Sequence, residues 1–160
     1  MKFPDHPFWD FSLALYARPN VAEACLRLQD KLGVDVNLIL FACWAAANHR
    51  QPTSDGWRRL VAETSAWRVE VVEPLRRVRR FLTSTRSTPW SDGLRERVAA
   101  LELDAEHVEQ LTIVALAEPG GETAHAPLDA MLGYIAVLDV VPSDADRSDL
   151  STIASQAARM

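Results

Sequence analysis

The sequence predicts an all-α protein, a compact single-domain bundle of six to eight helices around a buried central helix. Three observations indicate this fold. Apolar residues recur at intervals of three and four along most of the chain, which is the spacing of one helix face. Strict alternation over a strand length is scarce. The run LILFACWAAA, residues 38–47, is apolar on every side and predicts a helix that is buried all round.

Two helices are expected before this central one, each ended by a breaker. Pro19 ends the first helix. Asn20, followed three residues later by Glu23, predicts a capping box at the start of the second. Gly33 is typical of the residue that ends a helix in the left-handed region. Asp35 is expected to cap the central helix.

A longer apolar stripe runs from Trp57 to Leu82 and passes through Pro74. Proline removes one backbone hydrogen bond and clashes with the carbonyl four residues earlier. We therefore expect one long helix kinked near Glu70, or two helices in near continuity. The stripe faces inward in either case, so the arginines on the opposite side are expected to be exposed.

The remaining helices are predicted from caps and breakers. One starts at Ser91 or Asp92, and Asp104 is expected to cap the next. Residues 119–121, Pro-Gly-Gly, predict a break, and Pro127 suits the first turn of a penultimate helix.

Length and composition favour one globular domain. The chain has 160 residues, of which 48% are hydrophobic and 24% charged. We expect residues 1–142 to form the helical core domain, and residues 143–160 an acidic C-terminal segment with a weakly amphipathic helix. Cys25 and Cys43 lie in apolar stretches without a disulfide pattern, which favours a reducing compartment. Neither a signal peptide nor a transmembrane stretch is visible, so we predict a cytoplasmic protein with no membrane partner.

The charge is distributed unevenly. Residues 50–97 hold eleven arginines against six acidic residues, whereas residues 98–160 hold two arginines against eleven acidic residues. Either the two parts neutralise each other within the domain, or one of them forms a surface that binds a partner.

Recognisable catalytic and metal-binding patterns are absent from the sequence. The four histidines, one of which is His125, do not pair at ligand spacing, and no phosphate-binding loop is present. Cys43 lies in an apolar setting that argues for an inert thiol. We therefore predict no cofactor, no metal and no catalytic residues, and favour a protein that is not an enzyme.

Two groups of residues are candidates for a site. Polar side chains beside apolar runs predict a structural polar cluster or a pocket walled by aromatic rings. This group comprises Trp9, Asp10, Tyr16, Asp35, Asn37 and Trp44. The second group is a basic surface on the helix that contains the RRVRR motif, since guanidinium groups suit carboxylate or phosphate. It comprises Arg68, Arg76, Arg77, Arg79 and Arg80.

The segments FWDFSL, LQD and GVDVNL, followed by Trp44, resemble a proteobacterial family of about this length known only as a conserved protein of unknown function. The resemblance is clearest over residues 7–48 and fades beyond about residue 115. It implies a cytoplasmic bacterial protein, and no activity comes with it.

Three functions remain open from the sequence. The first is a non-catalytic protein-interaction or regulatory module with a protein partner. The second is a nucleic-acid-associated protein that uses the basic helix of residues 76–80, which the sequence pI of about 5.3 disfavours. The third is a small-molecule binder or enzyme with a tryptophan-lined pocket near Asp10 and Asn37. The oligomeric state is not predicted by any pattern.

Overall fold

The computed structural model describes residues 3–117 and 126–160. Within these ranges the chain is all-α, as predicted, and its helices pack around one core. In chain order they are α1 (Pro7–Tyr16), α2 (Val21–Leu32), α3 (Val36–Ala47), α4 (Ser54–Trp67), a π-helical turn (Arg68–Val72), α5 (Glu73–Ser84), α6 (Pro89–Leu116), α7 (Pro127–Ala136) and α8 (Asp144–Ala157).

Helix α3 is the buried central helix that the sequence predicts. Every residue from 37 to 46 is buried, and the helix packs against α1, α2, α6, α7 and α8. As expected, Asp35 caps it: its carboxylate accepts a hydrogen bond of 2.8 Å from the backbone N–H of Asn37. This helix therefore places its first turn, with Asn37, at the meeting point of several neighbours.

The two helices before α3 differ from expectation at one cap. Asn20 has a φ of 64° and its side chain makes no capping hydrogen bond, so the predicted capping box with Glu23 is wrong. The left-handed conformation at Asn20 closes the tight turn between α1 and α2 through the backbone, since the N–H of Val21 donates to the carbonyl of Arg18 at 3.2 Å. Gly33, with a φ of 67°, ends α2 as predicted.

Helices α4 and α5 form one continuous rod through the π-helical turn. This turn contains Glu70, the residue whose carbonyl would meet the ring of Pro74, so the predicted position of the irregularity is confirmed. A π turn relieves such a clash by shifting the hydrogen-bond register. The predicted inward stripe fails beyond the turn, because α5 has no buried residue and Val78 is 47% exposed.

Helix α6 is one helix of 28 residues where two were predicted. Thr88 caps it in a reciprocal arrangement with Ser91, and Pro89 occupies its first turn. Asp104 lies exposed in its middle and caps nothing. A residue with a capping preference is tolerated inside a helix when its side chain faces water, because the preference is small compared with the packing of the helix.

The C-terminal helices complete the core. Pro127 lies in the first turn of α7, as predicted. Leu150 and Ile153 of α8 are fully buried, and α8 packs mainly against α2. The predicted break at residues 119–121 and His125 lie outside the described residues. In the described part of the chain, no helix combines the length and the apolar character needed to cross a membrane.

Candidate functional site

A cavity of about 380 Å³ opens between α1, α2, α5 and α6, with the first turn of α3 at its base. We call it the groove. Its apolar lining includes Trp9, Leu13, Tyr16, Leu26, Leu40 and Leu103. A concave, largely apolar space of this size with a few polar groups is typical of a binding site.

The mouth of the groove is apolar and exposed to solvent. Leu13 of α1, Leu26 of α2 and Leu103 of α6 are 45%, 38% and 46% exposed. Trp9 is held in place by His107, whose ring stacks on the indole with centroids 3.9 Å apart and planes 5° from parallel. Burial lowers the pKa of His107, so this imidazole is neutral near pH 7 and stacks as an uncharged ring.

One wall of the groove consists of paired charges. Arg76 of α5 donates to the carboxylates of Glu102 at 3.1 Å and Glu106 at 2.6 Å, and to the amide oxygen of Gln29 at 2.9 Å. Arg79 donates twice to Glu102. Burial raises the pKa of Glu106, and Arg76 opposes that shift. Two arginines thus face two glutamates, and the wall is close to neutral.

The floor of the groove is a chain of neutral polar groups. The hydroxyl of Ser12 donates to the amide oxygen of Gln110 at 3.1 Å, and the amide nitrogen of Gln110 donates to the amide oxygen of Asn37 at 2.8 Å. The amide nitrogen of Asn37 donates in turn to Glu109 at 2.7 Å. This chain joins α1, α3 and α6, and it determines which way both amides point.

Two buried carboxyl groups lie beneath the floor. Asp35 is 7% exposed and Glu109 1% exposed. Each has one buried oxygen without a donor, Oδ2 of Asp35 and Oε1 of Glu109. Burial and then the charge of Asp35 raise the pKa of Glu109 to about 9. On the far side, the backbone N–H of Asp35 donates to the hydroxyl of Tyr134 at 2.9 Å.

The structure divides the predicted aromatic and polar cluster into three places. Trp9, Tyr16 and Asn37 line the groove, and Asp35 lies beneath it. Asp10 is exposed on α1, outside the lining.

The sixth member, Trp44, lies in a separate aromatic group in the core. Its ring is 5.7 Å from that of Phe8 and 5.8 Å from that of Phe41. Asp10 and Trp44 therefore lie apart from the other four residues, because they are on faces of α1 and α3 that do not line the groove.

The predicted basic surface is also divided. Arg76 and Arg79 face α6 and its glutamates, so the expectation of exposed side chains is wrong for Arg76, which is 14% exposed. Arg77 and Arg80 are exposed, and Arg80 lies 3.9 Å from Asp30. Arg68 donates to the carbonyl of Gly33 at 3.1 Å.

Sequence reasoning missed the polar residues that α6 contributes, namely Glu102, Glu106, Glu109 and Gln110. A signal was present. Positions 98, 102, 105, 109 and 113 continue one helical stripe from Val98 to Ile113, and all five are buried. Glutamates on a buried stripe require partners, which points to the arginines of the neighbouring helix.

The two cysteines and the possible metal ligands of the described residues can be compared with the needs of a reactive site. Burial raises the pKa of Cys25 to about 12 and that of Cys43 further, so neither thiol is reactive near neutral pH. Among residues 3–117 and 126–160, no group of three histidine, cysteine or acidic side chains is arranged so that it could hold a metal ion. The arrangement of the groove suits binding through shape and hydrogen bonds.

Comparison with known proteins identifies a family but no individual relative. No curated protein and no solved structure matches the chain. Residues 7–113, which include α1 to α5 and most of α6, match a protein family. These residues carry the whole of the groove's lining. The chain therefore belongs to the family described as "Protein of unknown function (DUF2390)".

Proposed function

We propose that this protein is a non-catalytic interaction module of the bacterial cytoplasm, and that the groove accepts apolar side chains from a segment of a partner protein. The observation that carries the proposal is the apolar mouth formed by Leu13, Leu26 and Leu103. Apolar side chains that surround a preformed cavity and remain in water are typical of surfaces that another molecule covers.

The rigidity of the groove supports this function. Charge pairs form one wall, and hydrogen-bonded amides form its floor. Side chains held in this way lose little conformational entropy when a partner binds, which favours affinity. A helix that inserts two or three apolar residues at helical spacing is a common partner for such a groove. The free thiols Cys25 and Cys43 support a reducing location.

A small-molecule ligand is the second candidate. It is favoured by the volume of the cavity, about 380 Å³, because drug-sized ligands occupy pockets of about 300–1,000 Å³. Nucleic acid is less well supported, since Arg76 and Arg79 are already engaged by carboxylates and a phosphate would have to displace them.

Photocrosslinking tests the protein partner. We would place p-benzoylphenylalanine at Leu13 or Leu103 in cells, with Val141 as the control because it is 86% exposed and lies between α7 and α8. We expect the same segment of one protein to be crosslinked from both groove positions and not from Val141. Identical products from all three positions would contradict the proposal.

A matched pair of substitutions then tests the groove itself. Ala99 lines the groove, whereas its neighbour Ala100 is exposed outside it. Ala99→Phe fills the space and should abolish binding of the purified partner segment in calorimetry, and Ala100→Phe should leave it unchanged. A stoichiometric small molecule seen by native mass spectrometry, lost in Ala99→Phe and retained in Ala100→Phe, would favour the second candidate instead.

A further inference from the structure

Each of the two carboxyl groups beneath the groove has one oxygen that accepts a hydrogen bond and one that does not. One oxygen of each is occupied: Oδ1 of Asp35 accepts from the backbone of Asn37, and Oε2 of Glu109 accepts from the side chain of Asn37. The other oxygen of each is buried and receives no donor. Buried oxygens in such positions almost always have a donor, and the side chains of Asp35 and Glu109 lie within hydrogen-bonding reach of each other.

We propose that Asp35 and Glu109 share one buried proton, and that this proton holds the floor of the groove in its binding shape. The effect of the proton on binding in the groove rests on the proposed function, whereas the proton itself does not. The ligand of this site is a single proton. It lies between Oδ2 of Asp35 and Oε1 of Glu109.

A proton on Glu109 satisfies every group at this point. Its Oε1–H donates to Oδ2 of Asp35, which leaves Oε2 to accept from Asn37. The orientation of the Asn37 amide then fixes that of Gln110, and Gln110 accepts from Ser12. Ionised Glu109 would face the carboxylate of Asp35 at close range, where two like charges repel strongly in a low-dielectric interior.

The charges around the pair favour retention of the proton. On α6, Glu106 lies one turn before Glu109 and is engaged by Arg76. From α7, the hydroxyl of Tyr134 meets the backbone of Asp35, and burial raises the pKa of this phenol so that it stays neutral. Arg68 of the π turn binds the carbonyl of Gly33 and lies near Glu73. Within the described residues, neither member of the pair forms an ion pair with lysine or arginine.

The sign of the pH dependence follows from linkage. The folded state holds the proton up to about pH 9, whereas Glu in an unfolded chain releases it near its ordinary value of 4.5. The folded protein therefore binds more protons across this window, and its stability falls as the pH rises. The histidines His6 and His107 have lowered pKa values and act in the opposite direction below about pH 6.5. The buried thiols of Cys25 and Cys43 have raised pKa values and lower the stability in the same direction as the pH approaches 9.0, their ordinary value. The window in which Glu109 acts alone therefore lies between about pH 7 and 8.

Two substitutions test the proton directly. Glu109→Gln supplies an amide N–H in place of the proton, and Asp35→Asn supplies one from the other side while it keeps the cap on α3. We expect the melting temperature of the wild-type protein to fall between about pH 7 and 8, and that of Glu109→Gln to stay level. In Asp35→Asn, carboxyl NMR should show Glu109 titrating at a lower pH than in the wild-type protein, because the charge of Asp35 is one of the causes that raise its pKa. A wild-type Glu109 resonance that titrates in the ordinary range of glutamate would overturn the proposal.

Binding in the groove is measured separately with N-phenyl-1-naphthylamine, an apolar fluorophore without charge in this pH range. Ala99→Phe and Ala100→Phe first establish whether the fluorophore occupies the groove. We expect its affinity for the wild-type protein to fall about tenfold for each pH unit above the pKa of Glu109, and its affinity for Glu109→Gln to stay constant. Equal pH profiles in the two proteins would refute the link between proton and floor. If Ala99→Phe binds it normally, the groove proposal fails, and the NMR titration still decides the shared proton.

Discussion

Asn37 is the residue on which the interior of this protein depends most. Its side chain donates to Glu109 and accepts from Gln110. Its backbone N–H donates to the carboxylate of Asp35, which caps α3. One amide thereby connects the central helix to α6 and sets the floor of the groove. Because both of its partners are buried, its loss leaves polar groups that water cannot reach.

We expect Asn37→Leu, which is close in volume, to lower the free energy of unfolding by about 1–3 kcal/mol, since Glu109 and Gln110 each lose a hydrogen bond in the interior. Urea denaturation measures this change. Thr112→Leu, on the exposed side of α6, is the control and should be near neutral. A rise in stability together with loss of binding in the groove would show that the amide serves the ligand and not the fold.

At the scale of helices, α5 is attached in an unusual way. None of its residues is buried, and its exposed apolar residues include Val78 at 47% and Phe81 at 67%. Two of its arginines, Arg76 and Arg79, bind Glu102 of α6, whereas its apolar residues Leu75 and Leu82 are only half-buried. The orientation of this helix, and with it one wall of the groove, therefore depends on charge pairs to a larger extent than that of the helices with a buried apolar face.

Adjacent arginines on α5 provide a matched test of this attachment. Arg76→Leu leaves Glu106 without its arginine and Glu102 with Arg79 alone, and we expect a loss of about 3 kcal/mol in the free energy of unfolding. Hydrogen exchange should also become faster along α5. Arg77→Leu removes an exposed arginine for which the described residues show no ion pair, and should change stability by less than about 0.5 kcal/mol. Equal effects of the two substitutions would contradict this account of α5.

At the scale of the whole molecule, the acidic C-terminal part is neutralised locally in several places. Asp149 of α8 binds Arg27 of α2 through two hydrogen bonds, of 2.7 and 3.0 Å. Asp146 lies 3.9 Å from Lys31, and Glu102 and Glu106 bind Arg76. The basic segment of residues 50–97 thus meets the acidic segment across α5–α6, and two cations of α2 neutralise further acidic residues across α2–α8.

Removal of residues 143–160 tests how far α8 belongs to the core. Leu150 and Ile153 are fully buried, and each such side chain contributes about 1.5–3 kcal/mol through burial, against a total stability of about 5–15 kcal/mol for a typical domain. We expect the shortened chain to lose cooperative thermal unfolding. A chain that ends at Ala157 retains the whole of α8 and is the control. An unchanged melting temperature after the larger deletion would show that this segment is separable.

Much of the fold could be predicted because local sequence decides it. The all-round apolar run predicts the central helix, Pro74 predicts the irregular turn, and Gly33 predicts the end of α2. The predictions of helix ends were wrong where the local preference of a residue was too weak to determine the structure. Asn20 and Asp104 carry capping side chains, but a capping preference amounts to about 1 kcal/mol and the packing of a whole helix outweighs it.

The site was predicted only in part, for a related reason. Trp9, Tyr16 and Asn37 stand out as aromatic or polar residues beside apolar runs, and all three line the groove. Glu102, Glu109 and Gln110 look like ordinary residues of a charged helix face, and nothing local distinguishes a glutamate that meets solvent from one that meets an arginine 23 or 26 residues away.

By itself, the sequence determined the helical class, the buried central helix and the separation of basic and acidic segments, because periodicity and composition are properties of neighbours along the chain. Only the tertiary structure decided which arginines are exposed, which aromatic residues share a cavity and which two acids lie together. These are distances between residues far apart in the chain, such as Asp35 and Glu109, and burial changes the chemistry of each group only after the helices have packed.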